Sequence, residues 1–207
     1  MTTMLDTRFL DALASAAPTP GGGGAAALMG ATGAALVAMV CHLSLGKKGH
    51  EADEPELRRL LDEAEALRAK LQRMVAEDAC AFERLMSAYR LPKATAEEQA
   101  YRGAAIQNGL RAATLAPLAC ARAAADAVRL ARRAAALGHR QVISDVGVAA
   151  LAAAAALRSA ALNVQINVPA LKDRAFADHA LTEVAALVDE CGGVAEAVHG
   201  RVKSMLA

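Results

Sequence analysis

The sequence predicts an all-α fold, a single domain spanning 1–207 and built as an antiparallel bundle of about five to six helices. Three observations point there. Apolar residues recur at steps of three and four, while no segment offers the β-branched and aromatic alternation between turns that marks a strand. Glycine and proline gather in short breaks between long runs rich in alanine and leucine. With no Trp, two Tyr and three Phe, the core has to be assembled from Ala, Leu, Val and Met, which calls for closely spaced helices.

The elements follow in order. A short first helix covers about Thr7 to Ala16, and Pro18-Thr-Pro-Gly-Gly-Gly-Gly24 then forms a loop that opens into an uncharged second helix, Ala25 to Leu45. Gly46-Lys-Lys-Gly49 ends that helix, with lysines where a helix C-terminus favours positive charge. A long third helix runs from about Pro55 to Tyr89. After the break at Leu91-Pro-Lys-Ala-Thr95, Thr95 and Glu98 make a capping box for a fourth helix, which reaches Leu137 with a kink or pause near Pro117. Gly138 closes it. A nearly charge-free fifth helix, about Gln141 to Asn167, is terminated by Pro169, and a last helix starts at Asp173 and is broken or weakened at Gly192-Gly193.

Composition excludes several classes. The 23 basic and 22 acidic residues nearly cancel, which argues against nucleic acid and against an anionic membrane surface, and aromatic platforms for stacking bases are missing. Cys41, Cys80, Cys120 and Cys191 form no CxxC pair, the five histidines form no HExxH, and the N-terminus lacks the pattern of a signal peptide. A cytoplasmic protein without a metal site is the expectation. Ala25 to Leu45 is long enough to span a bilayer, but it is mostly alanine and glycine, lacks Trp or Tyr at its ends and carries His42. It reads as a buried central helix.

Two stripes carry polar groups. On the third helix, Leu57, Leu60, Leu61, Ala64, Leu67, Leu71, Met74, Asp78, Phe82 and Leu85 share the core-facing spacing, so Asp78 is either a carboxylate facing a cavity or an ion-paired residue at the stripe's edge. On the fifth, Asp145, Ala149, Ala152, Ala156, Ser159, Asn163 and Asn167 follow at steps of three or four, a groove for a flat polar ligand or a set of structural hydrogen-bond partners. Ser144-Asp145 also suits a helix N-cap. Gly21 to Gly24 suit either a tight helix connection or a helix N-terminus holding a carboxylate or the polar edge of a ring. Lys47 and Lys48 fit a helix end, and Arg158 either pairs with a carboxylate or reaches the surface. No strand precedes the glycines, no Walker GKS or GKT follows them, and no GxSxG elbow occurs, so nucleotide binding and covalent hydrolysis lack support.

Taken together, Pro18-Thr-Pro-Gly-Gly-Gly-Gly24, Gly46-Lys-Lys48, Asp78-Ala-Cys-Ala-Phe82, Leu91-Pro-Lys-Ala-Thr-Ala-Glu-Glu98, Ser144-Asp-Val-Gly-Val-Ala149 and Leu162-Asn-Val-Gln-Ile-Asn167 resemble the cyclodeaminase/cyclohydrolase family of folate enzymes. The resemblance covers nearly the whole chain and implies an all-helical homodimer with folate in a cleft between subunits. It also implies a free-standing bacterial form without the fused formiminotransferase domain of animal relatives. The GGGGAAA run differs from the GGGS of many members, which removes a serine hydroxyl and leaves Gly21, Gly22, Gly23 and Gly24 to binding. The implied reaction is hydrolysis of 5,10-methenyltetrahydrofolate to 10-formyltetrahydrofolate, with formimidoyltetrahydrofolate cyclodeamination as the alternative. The tetrahydrofolate derivative is then the substrate, and no cofactor or metal is needed. By the same resemblance Asp78 is the general acid/base and Asp145 a second carboxylate. Ser144, Asn163 and Asn167 would bind pterin or amide edges, and Lys47 and Lys48 the glutamate tail. A non-catalytic helical scaffold is the reading from another class.

Overall fold

The uncharged stretch is the axis of the molecule. In the computed structural model, which describes residues 7–49 and 51–206, it forms the helix α2, Gly22–Ser44, packed between α3, Glu54–Tyr89, and α5, Ile143–Asn167. Behind both lies α4, Ala96–Leu137, and α6, Arg174–Leu206, packs on α5 and α4. With the short α1, Arg8–Leu13, and 3-10 turns at Arg140–Val142 and Val168–Ala170, these are all the regular elements among the described residues. Successive long helices alternate in direction, so the N-terminus of α2, the C-termini of α3 and α5 and the N-termini of α4 and α6 meet at one end of the bundle. No strand occurs among the described residues.

Small residues let the helices approach. A methyl on Gly33 would sit 3.0 Å from the Ala149 carbonyl oxygen, so here α2 touches the backbone of α5 directly. Ala26, Ala34, Ala149, Ala153 and Ala156 are fully buried along the same contact, with Leu57, Leu60 and Leu71 closing it from α3. By length and composition alone, α2 and the segment Arg140–Ala170 would each suffice to cross a bilayer; α2 instead has helices on three sides.

The outer seams are ionic. Arg122 pairs with Glu183, Arg129 with Glu190 and Arg111 with Asp173 between α4 and α6, while Arg133 reaches Glu56 and Glu63 on α3. All are partly or largely exposed, so they set register more than stability.

Several boundaries differ from the sequence expectation. α1 is shorter than Thr7 to Ala16. Gly22, Gly23 and Gly24 are the first turn of α2 and not a loop, and Gly21 is its cap residue. α4 begins on the anticipated Thr95 and Glu98 box and continues without interruption through Pro117. Val142, not Ser144, occupies the cap position of α5, so Ser144 and Asp145 lie inside its first turn. α6 is continuous across Gly192-Gly193, whose helical backbone is held by packing on α4 and α5.

Candidate functional site

Asp78 lies on the buried stripe of α3, between Met74 and Ala81, where α3 crosses the start of α2. Its carboxylate rests against the α-carbon of Gly23 and accepts a hydrogen bond from the Gly24 backbone N–H. Free N–H groups and the positive end of the dipole make this a natural seat for an anion. The protein's own carboxylate takes it. A methyl on Gly23 would overlap that carboxylate, whereas one on Gly24 would meet Pro20 and Val75 at 3.6 Å, an ordinary contact. Of the four glycines, only Gly23 is required by the Asp78 contact.

Burial pushes the Asp78 pKa above its ordinary value, and the Gly24 N–H offsets this only in part. Behind it, burial and then the charge of Asp78 push the Cys120 thiol up to about 12, which makes it a poor nucleophile. Cys41, Cys80 and Cys191 are likewise free thiols. Among the described residues, no three His, Cys, Asp or Glu side chains gather as a metal-holding group.

In front of Asp78 opens a cleft of about 440 Å³, within the range of small-molecule sites. Its polar lining is Gly21, Gly22, Gly23, Asn163 and Asn167, with the Asn163 amide against Gly22, and its apolar lining includes Phe82, Leu85, Leu110 and Pro117. A flat ring with one polar edge suits a cleft of this lining.

The two asparagines have different work. Pro117 has no N–H, so the Ala113 carbonyl one turn earlier lacks its helical donor. Asn167 Nδ2 supplies it at 2.8 Å and also donates to the Asn163 carbonyl at 2.9 Å. Both amide hydrogens of Asn167 are thereby occupied, leaving Oδ1 alone for a ligand. Asn163 donates once, to the Ser159 carbonyl at 2.8 Å, and retains Oδ1 and one hydrogen; its amide lies against Gly22, where an added methyl would meet it at 3.6 Å. The Asn167 donor thus satisfies the α4 carbonyl that Pro117 leaves free.

The remaining residues singled out in the sequence do not reach this cleft. Asp145 and Ser144 sit at the opposite end of α5, about 27 Å along the helix from Asn163. Lys47 and Lys48 follow the C-terminus of α2, about 33 Å from its first glycines. That far end is tied together by other groups: the His139 N–H donates to Ser44 Oγ at 2.8 Å, and the Gly46 N–H to Glu54 Oε1 at 3.2 Å. Exposed Arg158 reaches the surface beside Gly192 of α6. Sequence reasoning missed the hydrogen bond from Asn167 to Ala113, the nearness of Cys120 to Asp78, and Tyr89 and Ile166 as lining residues. A proline inside a predicted helix, which frees a carbonyl needing a donor from a neighbour, was the one available signal.

A second groove of about 490 Å³ lies between α3 and α4, lined by Glu63, Lys70, Arg129 and Arg133 among others. It is shallow, and Glu63, Arg129 and Arg133 already pair with neighbours. The cleft at Asp78 combines a desolvated carboxylate, unmet amide groups and an apolar floor, and so is the site.

Comparisons with known proteins give the family and the fold. The family model described as formiminotransferase-cyclodeaminase matches residues 6–186. The chain is 53% identical over 196 residues to methenyltetrahydrofolate cyclohydrolase of Methylorubrum extorquens, covering 95% of this chain and 94% of that protein. It is 35% identical to formimidoyltransferase-cyclodeaminase of Sus scrofa, covering 96% of this chain but 37% of the longer relative. The crystal structure of formiminotetrahydrofolate cyclodeaminase from Thermotoga maritima superposes with a TM-score of 0.81 at 31% identity, covering 99% of this chain and 96% of that one. The chain belongs to the formiminotransferase-cyclodeaminase family.

Proposed function

We propose that this protein is a methenyltetrahydrofolate cyclohydrolase, converting 5,10-methenyltetrahydrofolate and water to 10-formyltetrahydrofolate. The observation that carries this reading is the 53% identity, along nearly the full length of both chains, to a cyclohydrolase. The cleft is consistent with the chemistry. The substrate's imidazolinium ring is a delocalised cation and already electrophilic, so the protein has to supply position, a base for water and nearby negative charge, without a metal or further cofactor.

Asp78 is the group for this. Its raised pKa makes it a stronger base than an exposed aspartate, and its fixed charge at the α2 N-terminus faces the ring cation. In this reading Asp78 takes one proton from the water that attacks the methenyl carbon. It returns that proton to N5 as the carbon–N5 bond breaks, and the second water proton leaves to solvent. One cation and one water thus give the neutral formyl product and one proton. Asn163, beside Gly22, holds a polar edge of the pterin. Asp145, Ser144, Lys47 and Lys48 have no part in this reading within one subunit, because of their distance.

The partner reading is a homodimer in the cytoplasm. Leu28 and Leu43 of α2 and Val148, Leu151, Leu162 and Ile166 of α5 are apolar and exposed on adjoining helices, and Ile166, 76% exposed, also lines the cleft. A second copy on this face would therefore roof the substrate site.

Cyclodeamination of formimidoyltetrahydrofolate is the second reading, favoured by the Thermotoga maritima neighbour. The test is to supply purified protein with each substrate. Rapid loss of methenyl absorbance with little ammonia release from the formimidoyl substrate supports the cyclohydrolase; the reverse pattern overturns it.

A further inference from the structure

Pro117 removes a donor from α4, and the consequence reaches the cleft. The Ala113 carbonyl it leaves free takes one Asn167 Nδ2 hydrogen at 2.8 Å, and the Asn163 carbonyl takes the other at 2.9 Å. A rotated amide would set Oδ1 against two carbonyl oxygens, acceptor against acceptor. The two bonds therefore fix which end of the amide is free. That end is Oδ1, which meets no donor among the described residues. Nor is it sealed, because Arg102 Nε is the one fully buried side-chain nitrogen or oxygen left unpaired among them. Gln107, which reaches the rim residue Ala170, is already spent: Nε2 donates to the Ala170 carbonyl at 3.0 Å and Oε1 accepts the Lys172 N–H at 2.7 Å.

Asn167 lines the same cleft as Asp78, and among the described residues no Lys, Arg or His does so. A ligand there meets the Asp78 carboxylate and the Asn167 Oδ1 as acceptors, and no cationic donor. Asn163 keeps both a donor and an acceptor and can take either kind of edge, whereas Asn167 can take only a donor. We propose that Asn167 selects an aminopyrimidinone ring, its Oδ1 accepting a hydrogen bond from the exocyclic 2-amino group of the pterin. This rests on the folate reading of the same cleft. The 2-amino group lies across the bicycle from N5, so an acceptor on α5 reads it while Asp78 on α3 serves the methenyl carbon. If Asn167 only satisfied the Ala113 carbonyl, its loss would be made good in every respect by Pro117→Ala, which restores the helical donor.

The test compares 5,10-methenyltetrahydrofolate with its 2-desamino-2-methyl analogue, in which a methyl of similar size replaces the amino group. Wild type is expected to show a KM about tenfold or more higher for the methyl analogue, the scale of an acceptor left without its donor. In Asn167→Ala combined with Pro117→Ala the Ala113 carbonyl stays satisfied, and the preference should shrink to within about twofold. Pro117→Ala alone, in which Asn167 still donates to the Asn163 carbonyl, should retain it. Equal KM values for both substrates in wild type overturn the proposal without any variant. So does a preference that survives in the double variant. A wild type that turns over neither substrate instead defeats the folate reading, so the two failures are distinct.

Discussion

Gly23 and Gly24 are neighbours in one helical turn, yet a single methyl should have opposite consequences at the two positions. At Gly24 the added carbon finds Pro20 and Val75 at 3.6 Å and Phe9 at 3.8 Å, all ordinary contacts. Gly24→Ala therefore gains helix propensity and loses unfolded-state entropy, a stabilisation of up to about 1 kcal/mol. At Gly23 the same carbon occupies the space of the Asp78 carboxylate. Asp78 has to turn away, losing the Gly24 N–H. A hydrogen bond to a charged group is worth about 1.5–3 kcal/mol, from which the propensity gain of about 1 kcal/mol is subtracted, so Gly23→Ala should cost about 0.5–2 kcal/mol. Its activity should fall about 10²–10⁴-fold, as for loss of a general base. Urea titration measures the stability and loss of methenyl absorbance the rate. Because both changes act on one group, Gly23→Ala should add little to Asp78→Asn. Near-normal turnover in Gly23→Ala, or an equal loss in Gly24→Ala, would refute the reasoning.

Other consequences concern stability and assembly. Asn167→Ala strands the Ala113 carbonyl and should cost about 1–3 kcal/mol in urea titration; in a Pro117→Ala background, where the helix supplies its own N–H, the cost should largely vanish, and an unchanged cost would remove the assigned pairing. Asp78 has a raised pKa, so the folded state holds its proton more tightly than the unfolded state does, and its charge is a destabilising element above that pKa, relieved as pH falls through it. Asp78→Asn should accordingly be no less stable than wild type at neutral pH, with any advantage shrinking as pH falls through the elevated Asp78 pKa; a lower melting temperature at neutral pH would contradict this. Leu162→Glu with Ile166→Glu should convert a dimer to monomers in sedimentation, and a wild type that sediments as a monomer would remove the proposed partner face.

The fold was legible because its signals are local. The spacing of Leu57, Leu60, Leu67 and Leu71, the Thr95 and Glu98 box and the Gly138 stop each act within one helix, and each appears where the sequence placed it. Asp78 was legible for the same reason, as a carboxylate on an apolar stripe. What failed depends on distance along and between helices. Asp145 and Asn163 share a stripe, but a stripe says which way residues face and not how far apart they lie. The glycines read as a loop because glycine is a poor helix former; the Asp78 carboxylate, which requires a bare α-carbon at Gly23, comes from another helix.

In the proposed reaction Asp78, held on the first turn of α2, is the base for hydrolysis of the methenyl bridge. Its most direct test is the rate at which wild type and Asp78→Asn consume 5,10-methenyltetrahydrofolate, with folding of both verified by circular dichroism. Folded Asp78→Asn protein is expected to turn over about 10²–10⁴-fold more slowly; a folded variant that keeps near-wild-type turnover would exclude Asp78 as the base.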